Sequence, residues 1–264
     1  MKRITTAIFI LNLCGLSYSA SWDGSGTKDD PFLISTPQQL VELAEEVNNG
    51  TDFQNEYFNL TNDIDLSEVC GDSLGNWIGI GSILNYFEGS FLGGNHSISN
   101  LYIEHDDDTD YCGLFGYIGE QGSVVDLTIQ NGSIYNSKWN GAIAAINNGL
   151  ISNCKNINCS VKSWQYSGGI CGVNYNTIEN CENQSEVTCS FCCGGICSYN
   201  YGSIINCSNK NGITTRNGGG GICGYNGGFD YSNCQGTKIG FIDNCNNEGS
   251  IIGQTKIGGI TGRN

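Results

Sequence analysis

Carboxylates and thiols at short spacing are the residues of this chain that could carry chemistry. In "NDIDL", Asp63 and Asp65 alternate; on a strand that period puts both carboxylates on one face, where a glycosidase or polysaccharide lyase would draw its acid and base. In "HDDDTD", residues 105–110, Asp106, Asp108 and Asp110 begin a calcium-loop pattern. Tyr111 stands where an EF-hand needs glycine and Tyr117 where it needs glutamate, which excludes that motif. A loop calcium site on these three aspartates is the one cofactor the sequence offers, against a solvated acidic loop. "TCSFCCGGIC" supplies Cys189, Cys192, Cys193 and Cys197, sulfur enough for a zinc knuckle, although an exported chain would sooner hold them as disulfides or buried thiols.

Other motifs fail for want of context. "GDSLG" at 71–75 matches a nucleophile elbow around Ser73, yet "NWIGIG" follows where a helix should begin. His96 and His105 are the only histidines, so there is no H-E-x-x-H pair, and His96 in "GNHSI" reads as a turn residue. "GGGICG" at 219–224 has dinucleotide-site spacing without a surrounding βαβ unit. The expected set of catalytic residues is therefore empty, and the chain is read as a non-enzyme.

Repetition accounts for the glycines and cysteines better than any site does. "SGGICGVNYNTIENC" at 167–181 returns as "CGGICSYNYGSIINC" at 193–207. Its central isoleucine falls at Ile143, Ile170, Ile196, Ile222 and Ile260, in steps of 27, 26, 26 and 38, the last holding an insertion near "GFDYSNCQGTKI". "ISNC", "IENC", "IINC" and "IDNC" follow the same ruler. Twenty-six residues rich in Ile, Val, Gly and Asn suit two or three short strands plus turns, one coil of a parallel β-solenoid whose coils stack about 4.8 Å apart. Equivalent residues then form columns. Ile170, Ile196 and Ile222 should make one interior ladder, and Ile178, Ile204 and Ile242 another. Asn180, Asn206 and Asn244 should stack at a bend, because asparagine tolerates the left-handed conformation. The glycine pairs at 168–169, 194–195 and 220–221 should give positive φ or close approach at another bend. The columns 171/197/223 and 154/181/207 should hold many free, buried thiols.

The ends are read from composition. Lys2, Arg3, an apolar run from Ala7 to Leu16 and small residues after it look like a secretory signal over residues 1–20, leaving one β-helix domain over 21–264. Within it, a helical cap is expected at about 36–48, early coils at about 55–130 and the 26-residue repeats at about 131–264. "STPQQLVELAEEVNNG" carries the cap: Thr36 as N-cap, Pro37 in the first turn, Gln39 completing a capping box, and Leu40, Leu43, Ala44 and Val47 as the apolar stripe. No transmembrane segment is expected in the mature chain, and the coil that begins at "IGGITGRN" invites end-to-end association. Residues 20–131 hold 20 acids and one base, Lys28, within a chain of net charge −15, so nucleic acid is not an expected partner.

The ordered series "PFLISTPQQLVELAEEVNNG", "YFNLTNDIDL", "WIGIG", "FEGSFLGGNHSISNLYI" and "GLFGYIGEQGSVVDLTI" resembles the GLUG-motif proteins, named for motifs such as Gly113-Leu114-Phe115-Gly116. The resemblance runs over residues 31–264 and implies an all-β fold, a right-handed parallel β-helix, in exported or surface-attached microbial proteins. Some members carry this module beside an IgA-peptidase-like metalloprotease; that activity does not carry over to a chain with two histidines.

The function expected on these grounds is secreted or cell-surface adhesion or scaffolding through stacked variable loops, with a polysaccharide lyase or hydrolase as the alternative. "KSWQYS", "TCSFCC", "TTRNGG" and "IGQTKI" occupy equivalent places on four coils, so Trp164, Tyr166, Phe191 and Arg216 should line one edge and meet carbohydrate or a host or cell-surface protein.

Overall fold

Residues 22–104, 111–136, 138–229 and 237–263 are described in the computed structural model. The expected signal segment and the calcium candidates Asp106, Asp108 and Asp110 lie outside the described residues. The chain winds into a parallel β-solenoid of about seven turns with one short α-helix near its start. Three long sheets run along it, of eight, twelve and six strands, and each strand pairs in parallel with its equivalent on the next coil. No helix among the described residues is long and apolar enough to cross a membrane.

The helix, α1 (Pro37–Asn48), starts where the sequence says it should. The Thr36 hydroxyl accepts from the Gln39 backbone N–H at 3.3 Å, and Gln39 Oε1 accepts from the Thr36 N–H at 3.2 Å, so both exposed donors are satisfied. Leu40, Leu43, Ala44 and Val47 are buried in the same core as Phe58 and Ile80. The helix lies between the strands Phe32–Ile34 and Tyr57–Leu60, which begin the eight-stranded sheet. It therefore covers apolar surface that an end coil would otherwise expose.

One interior column threads all eight strands of that sheet: Phe32, Phe58, Phe91, Val124, Ile151, Ile178, Ile204 and Ile242 are successive register partners. Along the chain the column narrows from phenylalanine to valine and then isoleucine. The second expected ladder also forms, with Ile143, Ile170, Ile196 and Ile222 fully buried and linked rung to rung by N–H···O bonds of 2.9–3.0 Å. The 38-residue step keeps this register, since Ile222 N–H donates to Ile260 O at 2.9 Å. The insertion leaves and rejoins the coil through an antiparallel pair, Gly228–Phe229 with Thr237–Lys238. The "GLFG" run at 113–116 is explained by packing: Leu114 and Phe115 are fully buried in the core, while a Cβ on Gly116 would lie 2.2 Å from Gly81 O.

Asparagine turns the chain where expected. Asn153, Asn180, Asn206 and Asn244 have φ of 54°, 54°, 54° and 48°, and the Asn206 and Asn244 amides donate to the preceding rung's Oδ1 at 3.3 and 2.6 Å. Two further amide columns lie inside the solenoid. Ile64, Ile98 and Ile129 are followed in one column by Asn156, Asn183, Asn209 and Asn247, each amide donating to the next Oδ1 at 2.8–2.9 Å. Ile118 is followed in the other by Asn147, Asn174, Asn200 and Asn226, linked at 2.8 Å. Both columns change from isoleucine to asparagine at the entry to the 26-residue repeats.

The glycine pairs follow from the first of these columns. None of Gly168, Gly169, Gly194, Gly195, Gly220 and Gly221 has positive φ, so the close-approach half of the expectation is the one that applies. A Cβ on Gly169 would lie 2.4 Å from the Asn183 side chain, one on Gly195 2.4 Å from Asn209, and one on Gly221 2.2 Å from Asn247. Each glycine makes room for a buried amide.

The thiol columns are also as expected. Eleven of the described cysteines are free and ten of these are buried, with Cys171, Cys197 and Cys223 in register and the Cys154, Cys181 and Cys207 N–H groups each donating to the next rung's sulfur at 3.4 Å. Burial holds the Cys181, Cys197 and Cys223 thiols well above the ordinary thiol range, so they behave as small apolar side chains.

Replacing Asn183 by Ala should destabilise the solenoid by about 1–3 kcal/mol, because the Asn156 amide and Asn209 Oδ1 each lose a buried partner. Asn180→Gly, at an exposed bend that glycine suits, should change stability by less than about 0.5 kcal/mol. Paired urea denaturation curves test the contrast; equal losses would show that the buried relay contributes nothing special.

Candidate functional site

Three of the four residues expected on one edge come together. The strands Lys155–Ser163, Glu182–Gly194 and Ile213–Gly220 stack with Lys162 opposite Thr188, Thr188 opposite Thr214, and Thr214 opposite Ile252. The stretches named as loops are therefore in register, but most of their residues are strand, because neighbours on both sides extend the hydrogen-bonded rungs. On this flank Trp164 is 56% exposed and Phe191 41% exposed, and the exposed Arg216 guanidinium lies 5.7 Å from the Trp164 ring centroid, a cation–π contact. The Phe191 N–H donates to Gln165 O at 2.8 Å, which ties the phenylalanine's rung to the turn carrying Trp164.

A disulfide between Cys189 and Cys193 closes an arc with Phe191 at its outer side, and the backbone passes through φ 51° at Cys192. The four clustered cysteines do not converge: two form this disulfide, Cys192 Sγ contacts Tyr199 Oη at 3.4 Å, and Cys197 sits in its interior column.

Tyr166 departs from the expected edge. Its ring stacks on Trp139 with centroids 4.3 Å apart and meets Tyr199 edge-on at 5.2 Å. It is part of a second feature, an aromatic notch of about 210 Å³ on the neighbouring face. The outward column of the six-stranded sheet reads Tyr117, Ile146, Val173, Tyr199, Tyr225 and Arg263 in register. Tyrosine is interrupted at two rungs, and the gap over Ile146 and Val173 is the notch. Trp139 and Tyr166 form one wall; Tyr175 and Tyr201, stacked at 5.3 Å, form the other. "YN" at 199–200 and 225–226 repeats one period apart, which is legible in the sequence, but only the register shows that Ile146 and Val173 hold the two rungs before Tyr199.

The remaining candidates serve local structure. Asp63 Oδ1 accepts from the Ser97 N–H at 2.7 Å and lies 3.6 Å from His96 Nδ1, while Asp65 Oδ1 accepts from Asn100 Nδ2 at 2.7 Å and from the Ser67 N–H at 2.9 Å. The backbone bond from Ser97 is the main cause holding the Asp63 carboxyl below its usual range, and the amide bond from Asn100 does the same for Asp65. His96 N–H donates to Gly93 O at 2.8 Å in a turn. Ser73 is exposed in a turn closed by paired Gly71 and Gly75 N–H···O bonds of 2.8 and 2.9 Å, with no helix after it.

No protein-family model matches the chain. "Halomucin" of Haloquadratum walsbyi is 33% identical over 143 residues, 53% of this chain and 2% of that protein. "Putative Gly-rich membrane protein" of Evansella cellulosilytica is 35% identical over 133 residues, 49% of this chain and 15% of that protein. The chain thus spans a small part of either relative's length. The crystal structure of a "putative immunoglobulin A1 protease" from Bacteroides ovatus superposes with a TM-score of 0.62 over 90% of this chain and 72% of that one, at 20% identity. That likeness concerns the fold. None of the three names the GLUG motif, so the family resemblance rests on the quoted motifs.

Because the Asp63 and Asp65 carboxyls are depressed, their contribution to stability is complete above about pH 4 and is lost as pH falls below it. Asp65→Asn should therefore lower the urea midpoint at pH 6 and flatten its fall between pH 5 and 3. An unchanged acid slope in the variant would show that the carboxylate is not used this way.

Proposed function

We propose that this β-helix repeat protein works outside the cytoplasm as a non-enzymatic adhesion or scaffolding module, and that its flank of Trp164, Phe191 and Arg216 is the contact surface for a cell-surface protein. The observation that carries this reading is the cation–π pair of Arg216 and Trp164 beside exposed Phe191, with Phe191 and Arg216 on strands paired in register and Trp164 on the bend next to them. Tryptophan and arginine dominate binding hot spots, and a rigid platform loses little conformational entropy on association. The disulfide beneath Phe191 adds to that rigidity.

The secretory-type leader supports an extracytoplasmic location, as does a relative whose name places it in a membrane. Asp63 and Asp65 have structural partners and depressed carboxyls, neither of which suits a general acid, and no other observation favours the polysaccharide-cleaving alternative.

Binding of the purified, fluorescently labelled chain to intact cells, before and after protease shaving of their surface, tests the proposal. Shaving should remove binding, and Trp164→Ala or Arg216→Ala should each weaken it about tenfold, the loss of about 1.4 kcal/mol typical of an anchor residue. Binding that survives shaving, or variants that bind like wild type, would overturn it.

A further inference from the structure

The notch over Ile146 and Val173 has a shape and chemistry of its own. Along the run Tyr117, Ile146, Val173, Tyr199, Tyr225 of the outward column, three rungs carry phenol rings and two adjacent rungs do not. At about 4.8 Å per rung, Tyr117 and Tyr199 stand about 14 Å apart along the axis. The floor between them is aliphatic and the side walls are aromatic. A volume of about 210 Å³ falls below the several hundred that engulf a whole ligand, so the notch can grip a single ring while the rest of a chain passes outside.

We propose that this notch binds one pyranose ring of a neutral glycan, independently of the Trp164 flank. The charge argument is the first support. No ionisable side chain other than tyrosine is among the described residues lining the notch. Burial is the main cause raising the Tyr199 phenol, so it keeps its proton wherever the fold persists. An anionic sugar would meet no cation in the notch and would approach a chain of net charge −15.

Ring orientation is the second support, and it separates a sugar from a cation. Trp139 and Tyr166 are register partners stacked within 26° of parallel, and Tyr175 and Tyr201 stack within 14°. Within each stacked pair the two faces largely cover one another, so both pairs offer ring edges to their surroundings, while Tyr199 stands perpendicular to Tyr166. Edges are the positive rim of the aromatic quadrupole; they repel a cation and attract oxygen. A pyranose presents a C–H face, which suits an apolar aromatic lining such as Tyr199, and a belt of oxygens, which suits ring edges.

The test is a titration of the full chain with neutral hexasaccharides (β-1,4-glucan, β-1,4-mannan, α-1,4-glucan and β-1,4-linked N-acetylglucosamine), followed by calorimetry and by saturation transfer from aromatic ring protons. Tetramethylammonium and an oligogalacturonate of equal length serve as the cationic and anionic probes. At least one neutral hexasaccharide should bind. Val173→Tyr, which continues the tyrosine column into the gap, should weaken it at least tenfold, while Trp164→Ala should leave it unchanged. Should Val173→Tyr fail to fold, Ile146→Tyr fills the same gap from the adjacent rung. Saturation transfer in the wild type gives a second reading of contact with the tyrosine and tryptophan rings. No binding by any neutral hexasaccharide, undiminished binding with the gap filled, or preference for either charged probe would overturn the proposal. Loss of glycan binding on Trp164→Ala alone would also overturn it, by placing the sugar on the other flank.

Discussion

An amide buried between two coils has to give a proton to one neighbour and accept one from the other, and the repeat half of this solenoid is organised around that relay. Asn156, Asn183, Asn209 and Asn247 pass one hydrogen bond from rung to rung, with Asn147, Asn174, Asn200 and Asn226 doing the same in parallel. Each amide's second proton is bonded to a backbone carbonyl, as Asn183 is to Ser185 O and Asn209 to Asn211 O at 2.8 Å. A single buried asparagine would be costly; a column of them satisfies itself, except at its head. There, Asn156 follows Ile129, which has no amide to offer, and Asn156 Oδ1 is buried without a hydrogen-bond partner in the structure.

Several other choices follow from the relay. Glycine is needed beside Asn183, Asn209 and Asn247 because no Cβ fits there, which is why Gly-Gly-Ile-Cys recurs together with these asparagines. Cysteine fills the neighbouring interior positions because it is small, apolar and tolerant of its own copies stacked directly above and below. The early coils use a different solution, packing Phe58, Phe87, Phe91 and Phe115 under the capping helix, so the solenoid has an aromatic head and an amide-lined body.

The outward columns are under no such constraint, and the two candidate binding surfaces lie on them. The Trp164 flank is built by strands whose partners on both sides fix them, with the Cys189–Cys193 disulfide under Phe191. The notch lies where two adjacent rungs, Ile146 and Val173, carry no ring between Tyr117 and Tyr199. A rigid interior allows such surface differences because each coil's position is already settled by its hydrogen bonds to the coils above and below.

Periodicity in the sequence determined the coils, the isoleucine columns, the left-handed asparagines at 180, 206 and 244, and the stacked thiols, because residues one period apart must meet. Local rules determined the capping helix, since Thr36 and Gln39 are in reach of each other in any helix that begins at Pro37. What only the tertiary structure decided lies across unequal periods or across the width of a coil. Ile64, Ile98 and Ile129 share a column with the repeat asparagines although the early coils differ in length, so no fixed ruler joins them. Tyr166 sits two residues from Trp164, a spacing that alternation along a strand would put on one face, yet it turns to Trp139, because the bend at 164–165 interrupts the strand. Which side chains lie beside one another within a coil depends on how the bends close, and those angles are fixed by hydrogen bonds between coils that a linear pattern does not contain.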